Sequence, residues 1–220
     1  MEPSITRITS NQPIYYSIII PVYPLGKLSD ELTDACIKSV QANSTNFEIL
    51  VISSPNSYAT NVNLGLKLAI GSYIVILNND TLVKSAWLDS LTECFTRFKS
   101  CGVASLGLQH YEVSHGIREG TCGAIWMLSR KIYELVGLLD ETFKNSYCDS
   151  DYFYRVILAG YKCYRNYECT IIHHRSKTLS ALNIKSEMLE VNKDYFYTKH
   201  GFYWENYGDA CRQSTTRSNS

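Results

Sequence analysis

The sequence predicts an α/β domain: a mainly parallel central sheet flanked by helices, with a smaller mixed portion in its second half. Three observations carry that expectation. Short apolar runs rich in β-branched residues alternate with stretches of helical periodicity. The runs are apolar throughout rather than every second residue, as strands buried on both faces require. They also end on polar residues, as where "SYIVIL" stops on Asn78, Asn79 and Asp80.

Residues 1–13 read as a flexible polar arm, and residues 14–207 as one domain with a first half at 14–108 and a second at 109–207. "YYSIIIPVY" (15–23) is the first buried strand. "LSDELTDACIKSVQ" sets Leu28, Leu32, Cys36 and Val40 at four-residue steps, which predicts a helix. "FEILVIS" (47–53) is the second strand. "SYATNVNLGLKLAIG" follows as a helix, with Leu64 and Leu68 on its face and Gly71 at its C-terminus. "SYIVILN" is the third strand. The next helix carries Trp87, Leu88, Leu91, Phe95 and Phe98 on one stripe, and "GVASLGL" (102–108) is the fourth strand.

The second half is less regular. Residues 109–120 suggest a hairpin or a loop, "TCGAIWMLS" (121–129) a strand, and Arg130 to Val136 a short helix. "DSDYFYRVILAG" (149–160) is a helix closed by Gly160, and "YKCYRNYECTIIHH" reads as two short strands about a turn. Residues 184–206 are partly helical and aromatic. Residues 208–220 form a polar tail or a linker to further domains.

Composition narrows the function. With 220 residues, 45% apolar content and a formal net charge of zero, no broad nucleic-acid or anionic-membrane surface is expected. No apolar run approaches the ~18 residues of a membrane span. The start lacks the basic and apolar regions of a secretory signal. Eight cysteines contain no C-x-x-C pair, so reduced thiols and a cytoplasmic location are expected.

Three places offer chemistry. Asp80, at a strand end, either closes a turn or holds Mg²⁺ or Mn²⁺, which take carboxylates together with substrate phosphates. Asp149 either joins Ser146 in an S-x-x-D cap or faces a cleft as a general base. Asp151, two residues on, is expected on the other face, in reach of Arg155 at i, i+4. His173 and His174 follow an apolar strand, one pointing inward. A histidine there completes a metal shell or is simply structural, and Arg175 can meet phosphate oxygens. "YPLGKLSDE" matches neither a P-loop nor a dinucleotide-binding loop.

In combination, from about Tyr16 to Ser180, these pieces resemble inverting glycosyltransferases of the GT-A fold, family 2, and within it the rhamnosyltransferase-like branch. "YSIIIPVY" is similar to the family's opening strand, and "NVNLGLKLAIGSYIVILNND" to its "A-R-N-x-G…A-x-G-x-Y-x-x-x-L-x-x-D" stretch. "GAIWMLSRKIYELVGLLDETF" is similar to the acceptor-side segment, and "CDSDYFYRVILAGYK" to "E-D-x-D-L-x-x-R-x-x-x-x-G-Y-K". The resemblance implies Asp80 and His173 as holders of Mn²⁺ or Mg²⁺, and Asp149 as the base. It also implies Pro21, Tyr23, Ser53, Asn63, Asn79, Trp126, Asp151 and Arg175 as substrate or nucleotide contacts. Asn79 is expected to reach ribose or donor sugar, Asn78 only to end its strand, and Trp126, Tyr147 and Tyr152 to offer faces to sugar rings. The implied reaction moves a hexose or deoxyhexose such as rhamnose from a UDP- or dTDP-sugar to a hydroxyl of a glycan, glycoprotein or glycolipid. Ser53 stands where the family has a base-reading aspartate, Pro24 where it has Asn, and Cys148 where it has Glu. The alternatives are a sugar nucleotidyltransferase and a non-catalytic nucleotide-sugar-binding module.

Overall fold

In a computed structural model, which describes residues 2–109, 114–174 and 186–204, one nine-stranded sheet carries helices on both faces. In chain order the elements are β1 (Ser4–Thr9), β2 (Tyr16–Val22), α1 (Lys27–Ala42), β3 (Phe47–Ser53), α2 (Tyr58–Leu68), β4 (Tyr73–Leu77) and β5 (Thr81–Leu82). Then come α3 (Trp87–Arg97), β6 (Cys101–Leu108), β7 (Ile117–Glu119), β8 (Ile125–Ser129), α4 (Arg130–Val136), α5 (Cys148–Leu158), β9 (Lys162–His173) and α6 (Ser186–His200). The strand order is β1-β3-β2-β4-β8-β6-β9-β5, with β7 on β9. β2, β3, β4, β6 and β9 share one direction, and β1, β5, β7 and β8 run against it.

The apolar runs are continuous because both faces of these strands are covered. Ile18 and Ile20 pack on one side with Cys36, Val40, Trp87 and Leu91 of α1 and α3. Ile19 packs on the other with Val62 and Leu66 of α2 and Phe153 and Val156 of α5. β3 and β4 repeat the division, with Ile49 and Val75 on the first side and Leu50 and Ile74 on the second. Each such side chain contributes about 1.5–3 kcal/mol on burial. The α3 stripe of Trp87, Leu88 and Leu91 is buried as expected, extended by Cys94.

The structure corrects four local expectations. Residues 4–9 are an edge strand, not a flexible arm. β1 pairs antiparallel with β3, and Arg7 lies 3.3 Å from the fully buried Glu48 carboxylate while donating to Leu68 O. A charge inside a buried strand needs such a partner. The buried face of α1 is Ser29, Thr33, Cys36 and Val40, with Leu28 exposed, because the helix turns its small residues to the sheet. α2 ends at Leu68, before Gly71, whose missing side chain instead makes room: a Cβ there would lie 2.7 Å from Ser17 N. Finally, "YKCYRNYECTIIHH" is one long strand. Its turn-like middle is a bulge, where β6 pairing jumps from Asn166 to Thr170.

The seven described cysteines are free thiols. Among the described residues no helix is long and apolar enough to cross a membrane. Arg175 and the expected polar tail lie outside the described residues.

Candidate active site

At the carboxyl ends of the parallel strands lies a cavity of about 490 Å³. Open α/β sheets place their ligand crevices there. β2 brings Pro21 and Val22 to the wall, followed by Tyr23; the end of β4 brings Asn78, Asn79 and Asp80. Gly123 and Ala124 enter just before β8, His173 ends β9, and Tyr147, Cys148, Asp149 and Ser150 form the start of α5.

Asp80 and His173 are brought together by a two-residue ladder. β5 pairs with the end of β9 in the register Thr81 to His173, and His174 N donates to Asp80 O. His173 Nε2 consequently sits 3.1 Å from Asp80 Oδ1, both side chains largely buried. His173 Nδ1 is buried with no hydrogen-bond partner. One carboxylate oxygen and one imidazole nitrogen converging on a cavity fit a divalent cation, and the mixed donor pair suits Mn²⁺ better than the all-oxygen preference of Mg²⁺. Among the described residues no cluster of three or more His, Cys, Asp or Glu side chains forms a closed cage. Two protein ligands would leave the other positions of such a cation open.

Asp149 is placed by strain. Asn145 and Tyr147 both have left-handed backbones, φ 62° and 64°, and Tyr147 is the residue from which α5 starts. A bulky residue held there costs about 1–3 kcal/mol and persists where the surroundings demand it. Ser146 is not the cap: its hydroxyl accepts from Asn192 of α6 instead. The Asp149 carboxylate accepts a hydrogen bond from Ser150 N at 2.9 Å, and opens on its free side to the cavity. Protein surrounds it otherwise, and this burial raises its pKa above the ordinary 3.8, outweighing the backbone N–H groups of Ser150 and Asp149 that lower it. Burial also drives the neighbouring Cys148 thiol well above its ordinary range, so it stays neutral beside Asp149.

Of the expected contacts, Pro21, Tyr23, Asn79, Asp80, Asp149 and His173 meet in this cavity, and four do not. Ser53 pairs within the sheet, opposite Ser4 and Val22. Asn63 is spent on Leu139 and Glu141, with its amide donating to Leu139 O and Glu141 Oε1 and accepting from Leu139 N. Trp126 is fully buried, its ring against Tyr152 and Phe153, so neither it nor Tyr152 offers a face to a sugar. Asp151 is also fully buried and points away, bound to Arg155 at 2.9 Å, Lys199 at 2.7 Å and His200 at 2.8 Å.

The roles of Asn78 and Asn79 also shift. Asn79 donates its amide to Thr33 Oγ1, whereas Asn78 Oδ1 is buried in the cavity wall without a partner. Sequence reasoning missed Asn61, whose side chain ties the ends of β2 and β3 through Val22 O and Ser54. It also missed Tyr58, and Leu189 and Trp204 from the C-terminal segment. The only signal for Trp204 was the aromatic content of residues 184–206.

No protein-family model matches this chain, and no curated protein sequence does. Solved structures do. The chain is similar to GalNAc-T7 in a crystal structure with UDP, GalNAc and Mn²⁺, at TM-score 0.59 and 8% identity, covering 74% of this chain and 44% of that one. It is also similar to S. aureus TarS 1–349, at TM-score 0.57 and 9% identity over 78% of this chain and 64% of that one. A second S. aureus TarS structure gives 0.58 and 11% over 78% and 39%. The chain thus spans less than two thirds of the length of each. At these identities the likeness is one of fold, the α/β architecture of GT-A glycosyltransferases.

Proposed function

We propose that this chain is a metal-dependent, inverting glycosyltransferase that moves a sugar from a nucleotide-diphosphate donor to an acceptor hydroxyl. The observation that carries the reading is that one cavity on a GT-A scaffold joins the Asp80–His173 pair to the half-buried carboxylate of Asp149. Asp80 and His173 would hold Mn²⁺, or Mg²⁺, which when bound supplies positive charge to the diphosphate as it leaves. Asp149 accepts the proton of the acceptor hydroxyl, whose oxygen attacks the anomeric carbon. The bond from that carbon to the diphosphate oxygen breaks, and the nucleoside diphosphate departs with the electron pair. Base catalysis of this kind contributes roughly 10²–10⁴-fold.

Among the described residues the carboxylates lining the cavity are Asp80 and Asp149, and Asp80 is engaged with His173. A covalent route needs a nucleophilic carboxylate in addition to the base, so a single displacement with inversion is the fitting course. Pro21, Val22 and Tyr23 line the side where the nucleotide would lie, and the donor is a UDP- or dTDP-sugar carrying a hexose or a deoxyhexose such as rhamnose. The acceptor is a hydroxyl of a glycan, glycoprotein or glycolipid.

The test is nucleoside diphosphate release from a panel of UDP-, GDP- and dTDP-sugars with Mn²⁺, with and without EDTA. Release that needs metal and is lost in Asp80→Ala and Asp149→Asn supports the transferase. Pyrophosphate as product would make it a nucleotidyltransferase, and donor binding with no release in the presence of acceptors a binding module.

A further inference from the structure

Around Asp149 the cavity wall carries apolar surface that the proton transfer leaves unused. Tyr147, two residues before that carboxylate, lines the cavity together with Leu189 of α6 and Trp204 just beyond that helix. Two separate links hold this wall to the start of α5. Asn192, three residues from Leu189 and so on the same side of α6, donates to Lys144 O and Ser146 Oγ in the turn before Asp149. Phe196, fully buried, touches the rings of both Tyr147 and Trp204, with centroids 5.8 Å and 6.0 Å away. Leu189 is 47% exposed and Trp204 half-buried, so both keep accessible surface where they line the cavity.

A general base acts only within hydrogen-bond reach of the proton it takes, so an acceptor served by Asp149 lies against this wall. The chemistry of the wall is mixed. The indole and Leu189 offer apolar surface, while the half-buried Asn145, Ser146 and Ser150 line the same cavity with short polar groups. A pyranose ring matches both, with one face of C–H bonds to lie on an indole and a rim of hydroxyls for the polar groups. An acyl chain would match the first and leave the second unpaired. We infer that the acceptor is a glycan whose terminal ring stacks on Trp204, edged by Leu189, with one hydroxyl directed at Asp149. The inference rests on the glycosyltransferase reading and chooses the acceptor class within it.

The chain has three tryptophans, of which Trp87 and Trp126 are fully buried, so acrylamide quenching of fluorescence reads Trp204. The test is a glycan array with acyl-chain lipids printed beside the glycans, probed in Mn²⁺ and the tightest-bound of UDP, dTDP and GDP. Glycans retained by wild type are then titrated against wild type, Trp204→Phe and Trp204→Ala while quenching is followed. A retained glycan should shield Trp204 from acrylamide and keep most of its affinity for Trp204→Phe. Trp204→Ala should weaken that glycan about tenfold while nucleotide affinity changes by less than about twofold. The shielding needs no variant, so it decides the matter even where Trp204→Ala fails to fold. Glycans that bind without shielding Trp204, or equally well to folded Trp204→Ala, overturn the inference, as does retention on acyl chains alone or on nothing. Those results leave the transferase standing; wild type that binds none of the three nucleotides overturns both.

Discussion

The carboxylate of Asp149 occupies the space a side chain on residue 123 would need: a Cβ built on Gly123 would lie 2.0 Å from Asp149 Oδ2. With the carboxylate where it stands, the segment entering β8 and the start of α5 therefore fit only with glycine there. Gly123→Ala should turn the carboxylate out of line and lower turnover about 100-fold, the usual cost of a roughly 1 Å misplacement of a reacting group. Adding Gly123→Ala to Asp149→Asn should cost little more, because the group it displaces has already lost its role. Independent, multiplying losses in kcat would rule out this coupling.

Because burial raises the pKa of Asp149 in the folded state, the charged carboxylate there opposes folding. The penalty is absent below the ordinary 3.8, where both states are protonated, and complete once pH exceeds the raised folded value. Asp149→Asn should therefore melt higher than wild type at pH 7, and the gain should vanish as pH falls towards 3.8. Turnover should show the matching acid limb, above the ordinary aspartate value, since only the ionised carboxylate takes a proton. Thermal melts across pH, paired with a pH–rate profile, check both signs.

Loss of either member of the Asp80–His173 pair should cut Mn²⁺ affinity at least as much as the 10–100-fold typical of supporting residues around a metal. Mn²⁺ titration of Asp80→Ala and His173→Ala reads this directly. Full Mn²⁺ affinity in either variant would place the cation elsewhere.

Asp151→Ala should act on stability instead. It would leave Arg155, Lys199 and His200 around a space with no anion, at a cost of about 3–5 kcal/mol. Chemical denaturation should report that loss, and the Mn²⁺ affinity of the folded variant should remain near wild type.

Much of the fold was legible because β-branched runs such as "YSIIIPV" admit few other readings once both faces must be covered. What escaped depended on partners far along the chain. Glu48 inside "FEILVIS" is buried and needs a cation, but nothing local identified Arg7, whose segment is polar and exposed. At the site, strand ends gave Asp80 and His173, while helix phase separated Asp149 from Asp151. Motif position alone could not tell that Trp126 faces the core, or an occupied Asn79 from an unpartnered Asn78. Those differences arise from hydrogen bonds made 40 or more residues away, such as Asn79 to Thr33.

α6 supplies none of the proposed chemistry, yet it grips α5 at two levels. Asn192 holds Lys144 O and Ser146 Oγ ahead of Asp149, and Lys199 and His200 hold Asp151 just behind it. The Asp80–His173 pair rests on the β5–β9 ladder and asks nothing of α6. On the proposed reading, donor capture and sugar transfer would therefore be mounted on separate parts of the chain. Cutting before Ser186 should leave a protein that keeps the Asp80–His173 pair but has lost the splint that aims Asp149.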